Sequence, residues 1–127
     1  MALLLASCGA DEPRAFTSRE KLPTCGSLPA RRRDAPISAD EQQALECLRS
    51  AFQAGSSAEA NYAFLTTEGD PIRFWICIVD RGHIEMYEHS SDSFGEAGWR
   101  YFPSCEIATA DLASLPLSET CGNGSKI

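Results

Sequence analysis

Positive charge is in short supply: 11 lysines and arginines face 18 aspartates and glutamates, a net −7. That balance argues against a nucleic-acid partner, because neutralising a phosphate backbone needs a basic patch. Long apolar runs are missing too. No stretch approaches the ~20 apolar residues of a membrane-spanning helix. There is no Cys-x-x-Cys pair, and neither His83 nor His89 stands at ligand spacing from a cysteine, so the usual zinc patterns are absent. A Gly-x-Ser-x-Gly nucleophile elbow and a glycine-rich phosphate loop are also lacking. The expectation is a protein without metal, cofactor or catalytic centre.

What is present suits one domain and a tail. With 127 residues and 43% apolar content, the chain can bury a genuine core and is too apolar to be disordered. The one basic run, Arg31-Arg32-Arg33, adjoins Asp34 and Pro36 and reads as solvated linker; contact with anionic lipid headgroups is the sharper reading.

Met1 to Ala6 is apolar, and Leu5-Ala6-Ser7-Cys8 with Gly9 follows. This resembles the lipobox of bacterial lipoprotein signals. The resemblance implies cleavage before Cys8, which becomes the diacylated first residue of the mature protein. Gly9, where an Asp would oppose it, is compatible with delivery to an outer leaflet or outer membrane. The apolar stretch is short and lacks a charged leader, so a start further upstream or a truncation is expected. On this reading residues 1–7 are a signal-peptide remnant and 8–36 a lipid tether and polar linker. Residues 37–121 are the domain and 122–127 a tail. The location implied is the cell membrane or outer membrane, facing the periplasm or the outside. Two or three acyl chains hold such an anchor firmly, where one is marginal.

Six cysteines in so short a chain suit an oxidising compartment. With Cys8 acylated, five remain, enough for two bridges and one free thiol. Cys25–Cys47 and Cys105–Cys121 are the preferred pairs, although spacing alone leaves the connectivity open. Cys77 is then the free one, a small buried hydrophobe within a strand.

Ser38 and Glu41 form a capping box, and Ala44, Leu45, Leu48, Ala51 and Phe52 make one apolar helical face that Gly55 ends. Strands are expected at 62–67, 72–79, 84–89 and 99–102. The turns at 68–71 and 80–83 are short, which favours an antiparallel meander. Ile72, Phe74, Ile76 and Ile78 share one face; Trp75, Cys77 and Val79 make the other apolar as well, so that strand is central and covered on both sides. Thr109 is read as capping a helical turn over 110–115. The fold class is α+β: one main helix on a four-stranded antiparallel meander, braced by disulfides.

The order Cys25-Gly26, Cys47-Leu48, Thr67-Glu68-Gly69-Asp70-Pro71-Ile72, Asp92-Ser93-Phe94-Gly95, Trp99 and Cys105 resembles an uncharacterised family of small exported bacterial proteins, over about residues 22 to 107. That likeness implies export and a single domain. Cys77 and Cys121 stand outside its pattern.

His83, Glu85, Glu88, His89 and Asp92 are the only polar cluster with metal-binding chemistry, but on an extended strand the two histidines lie ~20 Å apart. A solvated polar face is the reading. Trp75, Tyr87, Trp99 and Tyr101, with Arg73, are the more informative set. Exposed, they suit an envelope protein or glycan partner, since aromatics and Arg dominate binding hot spots. Alternatively the disulfide-tied C-terminal segment covers them as a second small core. Phe94 either faces a partner from its loop or folds back to plug the sheet edge. The functional expectation is a lipid-anchored binding or structural module of the envelope. The alternative is an inhibitor or immunity-type module that blocks an envelope enzyme.

Overall fold

The computed structural model describes residues 12–80, 83–106, 115, 116, 118 and 121–127. In chain order these form α1 (Arg14–Thr17), β1 (Thr24–Arg31), α2 (Ala39–Ala54), β2 (Ala58–Leu65), β3 (Pro71–Asp80), β4 (His83–Ser90), β5 (Gly98–Phe102) and β6 (Ser125–Lys126). The fold is α+β, with one principal helix on a single sheet of six strands in sequential order. The expected cysteine pairs, Cys25–Cys47 and Cys105–Cys121, are both bridged.

Helix α2 forms where its capping chemistry dictates. The Ser38 hydroxyl accepts a hydrogen bond from the Glu41 backbone N–H, and Asp40 and Glu41 place negative charge in the first turn. Gly55 ends it at φ 71°, a left-handed conformation that costs glycine little. Its inward face, Ala44, Leu45 and Leu48, packs on Tyr62, Phe64, Phe74, Ile76, Ile78, Ile84 and Met86 from β2, β3 and β4. Ile76, Met86 and Leu48 are completely shielded from solvent.

Strands β2 to β5 form an antiparallel meander, but β2 runs over Ala58–Leu65 where a strand was expected at 62–67, and the sheet has six strands where four were expected. The larger difference is β1, which lies in the stretch read as polar linker and pairs parallel to β2. Gly26, Ser27 and Pro29 give that stretch a loop-like composition. Pro29 is tolerated because β1 is an edge strand, where a missing N–H need not break a ladder. Leu28 alone buries itself in the main core, while Cys25 bonds to Cys47 on α2. Thus β1, α2 and β2 form a β–α–β unit, the long crossover that parallel pairing requires. The second addition, β6, comes from the stretch read as a tail and pairs Arg100 with Lys126 and Tyr101 with Ser125.

The basic run is divided by this arrangement. Arg31, read as solvated, points inward. Its Nε and Nη2 donate to the two carboxylate oxygens of buried Glu41, both at 2.7 Å. Its Nη1 donates to the carbonyls of Arg32, Arg33 and Ala35, tying up the turn between β1 and α2. Arg32 and Arg33 remain at the surface beside an open cleft of about 570 Å³ that Phe64, Thr66, Ile72 and Asp92 help to line.

The Cys105–Cys121 bridge lies on the helix side of the sheet with Leu115, and the Tyr62 hydroxyl donates to the Pro116 carbonyl at 2.8 Å. The described part of the C-terminal segment therefore reinforces the main core. The helical turn expected over 110–115 falls largely outside the described residues, as do Arg81 and Gly82 of the β3–β4 turn.

Candidate functional site

The sheet's other face gathers the predicted aromatic set, because cross-strand register places alternate residues of neighbouring strands side by side. Trp75 pairs with Tyr87 and Tyr87 with Tyr101; Arg73 pairs with His89 and His89 with Trp99. The Trp75 and Trp99 rings stack with centroids 5.3 Å apart and planes 25° from parallel. Tyr87 lies 4.8 Å from Tyr101, and His89 4.7 Å from Trp99. Trp75, Tyr87, Trp99 and Tyr101 thus form one continuous aromatic surface. Arg73 is committed elsewhere: it donates to the Leu28 carbonyl and the Asn61 side chain, linking β3 towards the β1 edge.

Among the described residues, this face is covered from the amino-terminal side and not by the C-terminal segment. Residues from the stretch read as linker lie across it. The Phe16 ring sits 4.7 Å from Trp75 and from Trp99, and 5.3 Å from Tyr87, and only 6% of Phe16 is exposed. One helical turn later, the Arg19 guanidinium lies 4.2 Å above the Phe16 ring centroid, a cation–π contact. Its Nη2 makes an ion pair with Glu59 at 3.2 Å, and Glu59 also accepts the Leu22 N–H. Leu22, Val79 and Tyr101 complete this second cluster.

Cys77 lies beneath, buried and free as expected. Burial, reinforced by the nearby Glu59 carboxylate, pushes its thiol up to about 12. The Sγ is 4.0 Å from Glu59, so the thiol stays protonated at neutral pH and is a poor nucleophile. Tyr101 is likewise raised to about 12, by burial first and then by Glu85. His83 is exposed, 3.6 Å from Glu85, whereas Glu88 points to the opposite face, where it accepts from Ser118. Among the described residues, no group of three or more His, Cys, Asp or Glu side chains could hold a metal ion.

Phe94 stands apart from the aromatic face. It is 79% exposed, on a loop whose backbone is held by side-chain hydrogen bonds. The Asp92 carboxylate accepts the Phe94 N–H at 3.0 Å, the Asp70 carboxylate accepts the Ser93 N–H at 2.9 Å, and Ser90 Oγ accepts the Asp92 N–H. These side-chain bonds turn the backbone as a second hydrogen-bonded turn does. The reading that plugs Phe94 against the sheet edge is therefore replaced by a presented side chain.

Sequence reasoning overlooked Phe16 and Arg19. A signal existed: Phe16 and Leu22 are large apolar residues in a segment assigned to solvent, and the Phe16–Arg19 spacing is one helical turn. Cys8, the lipidation candidate, lies outside the described residues. The chain matches no family model, no curated protein and no solved structure.

Proposed function

We propose that this chain is a lipid-anchored component of a bacterial cell envelope whose domain binds a partner and catalyses no reaction. The observation that carries the reading is the pair of disulfides, Cys25–Cys47 and Cys105–Cys121, each tying peripheral chain into the main core. Bridges of this kind persist outside the reducing cytosol. The lipobox resemblance at Leu5-Ala6-Ser7-Cys8 and the likeness to small exported proteins point the same way. Acylated at Cys8, the protein sits close to its bilayer. Pro13, which precedes α1, is five residues on from Cys8, a covalent reach of at most about 18 Å.

Intact mass of the mature native protein tests this. The expected product begins at Cys8, carries diacylglycerol, and lacks four thiol hydrogens. A product that retains residues 1–8 with every thiol reduced refutes the anchor and the compartment together.

A second reading is favoured by Phe94, the largest exposed apolar side chain among the described residues, on a hydrogen-bonded loop. Rigid aromatic anchors lose little entropy on docking, and a module that blocks an envelope enzyme needs such an anchor. Affinity capture from envelope extract is expected to recover one enzyme in stoichiometric amount with the native chain and little with Phe94→Ala. Equal recovery by both excludes the loop.

A further inference from the structure

Held across the aromatic face, residues 12–22 differ in kind from the rest of the fold. Helix α1 has four residues, far below the ~12–15 at which a helix holds itself, and Pro13 supplies no side-chain cap. Neither disulfide encloses this segment, since the first cysteine of either bridge is Cys25. The main core shares no side chain with the second cluster, so sheet and α2 are held independently of the cover.

Two details show that the cover is imperfectly matched to the face. Among the described residues, Arg19 Nε and Trp99 Nε1 are the buried side-chain nitrogens without a hydrogen-bond partner, and both lie at this contact. Buried donors are ordinarily paired, so the cover fits the rings of the face but leaves one donor of the face and one of its own unanswered, which weakens its hold. The recognition elements can be read from the occupant itself. A slot between Trp75, Tyr87 and Trp99 takes an aromatic ring; Glu59 takes the cation one turn later and the Leu22 N–H.

We infer that the aromatic face is a peptide-binding groove, occupied here by the chain's own residues 12–22 and open to exchange with an aromatic-x-x-arginine segment of a partner protein. This deepens the binding-module reading and rests on it, but nothing in its test depends on the lipid anchor or on Phe94. The cover joins the domain directly to the stretch that carries Cys8, so exchange alters how the domain is held at the membrane. In the resting protein the cover acts as a tethered competitor, present at an effective concentration on the order of millimolar.

The test uses the full chain with Phe16→Ala and Arg19→Ala, and a synthetic peptide of residues 12–22 added in trans. Trp75 and Trp99 are the only two tryptophans, so indole emission reports occupancy directly. The double variant should bind the peptide saturably, while the native chain shows no binding at the same ~100 μM, where the tethered copy outcompetes it. A peptide with Phe16→Ala should bind at least about tenfold more weakly. A folded variant that binds neither peptide, or both equally, overturns the inference. Hydrogen exchange on the native chain keeps the test independent of the variant. The amides of Phe16, Thr17 and Ser18 should exchange at least about tenfold faster than those of Ile76 and Met86. Equal rates show that the cover opens only when the whole fold does, which also overturns it.

Discussion

Replacing Glu41 by glutamine removes one charge from the bidentate Arg31–Glu41 ion pair without changing its shape. The Glu41 side chain is 5% exposed and that of Arg31 17%, so neither is screened as a surface pair is. Hydrogen bonding to Glu41 is the main influence on the Arg31 guanidinium and raises its pKa, against the opposing effect of burial. The amide introduced by Glu41→Gln still accepts one bond from Arg31, but it turns an NH2 donor towards the other guanidinium donor. Breaking a buried pair costs about 3–5 kcal/mol when the surviving charge is stranded. Here the surviving charge keeps three carbonyl acceptors and some solvent contact, which lowers the expectation to about 2–3 kcal/mol. For a domain of this size the loss corresponds to a fall in Tm on the order of 10 °C.

Urea denaturation followed by tryptophan emission and by far-ultraviolet circular dichroism measures the effect. The difference between native and Glu41→Gln chains should persist in about 1 M salt, because buried pairs are weakly screened. Joint replacement by Arg31→Met and Glu41→Leu should recover most of the loss, since an apolar pair carries no desolvation cost. A Glu41→Gln chain within about 0.5 kcal/mol of the native one refutes the reasoning and makes Arg31 no more than a surface residue.

Other expectations follow from the same geometry. Opening Cys25–Cys47 with a pair of serines frees a loop of sequence separation 22 and should cost about 3 kcal/mol, read as a lower urea midpoint; no change refutes the closure argument. All three tyrosines resist ionisation: burial drives Tyr62 well above its usual value, raises Tyr87, and takes Tyr101 to about 12. Because the folded values lie above the unfolded one, their contribution to stability is complete below about pH 10 and is lost as pH rises through the folded values, about 12 for Tyr101. Tyrosinate absorbance should therefore appear together with unfolding, and its appearance at about pH 10 in a folded chain contradicts the assigned burial. Cys77 should ignore a maleimide in the native protein and react stoichiometrically in urea, whereas rapid native labelling is incompatible with a thiol pushed up to about 12.

Several of these features could be read without coordinates because they are local. Ser38, Glu41 and Gly55 bound α2 by capping chemistry that acts over three or four residues. The alternation of Ile72, Phe74, Ile76 and Ile78 against Trp75, Cys77 and Val79 marks a central strand, since period-two burial leaves a direct imprint. The turn expected at 68–71 follows from Gly69, whose φ is 91°, although its hydrogen bonds begin two residues earlier, at Thr66. Both expected disulfide pairs form, although spacing alone leaves other connectivities open.

The parts that were not legible depend on partners distant in sequence. Nothing in Thr24–Arg31 alternates clearly, and Gly26 and Pro29 speak against a strand; β1 exists because β2 offers it an edge and Cys47 a covalent bond. Phe16 is apolar and stands one helical turn before Arg19, but nothing local supplies the surface that buries them. They become buried only where register has already assembled Trp75, Tyr87, Trp99 and Glu59 into a slot. In the sequence Arg31 is one of three equivalent arginines, and only α2, by bringing a buried carboxylate to it, sets it apart. Local steric and hydrogen-bonding preferences, which need only near neighbours, thus determined the main helix, the four-strand meander and the aromatic composition of one face. Which segment covers that face, and which charges turn inward, was decided by long-range packing, because burial is a property of the surfaces that meet and not of the residues taken one at a time.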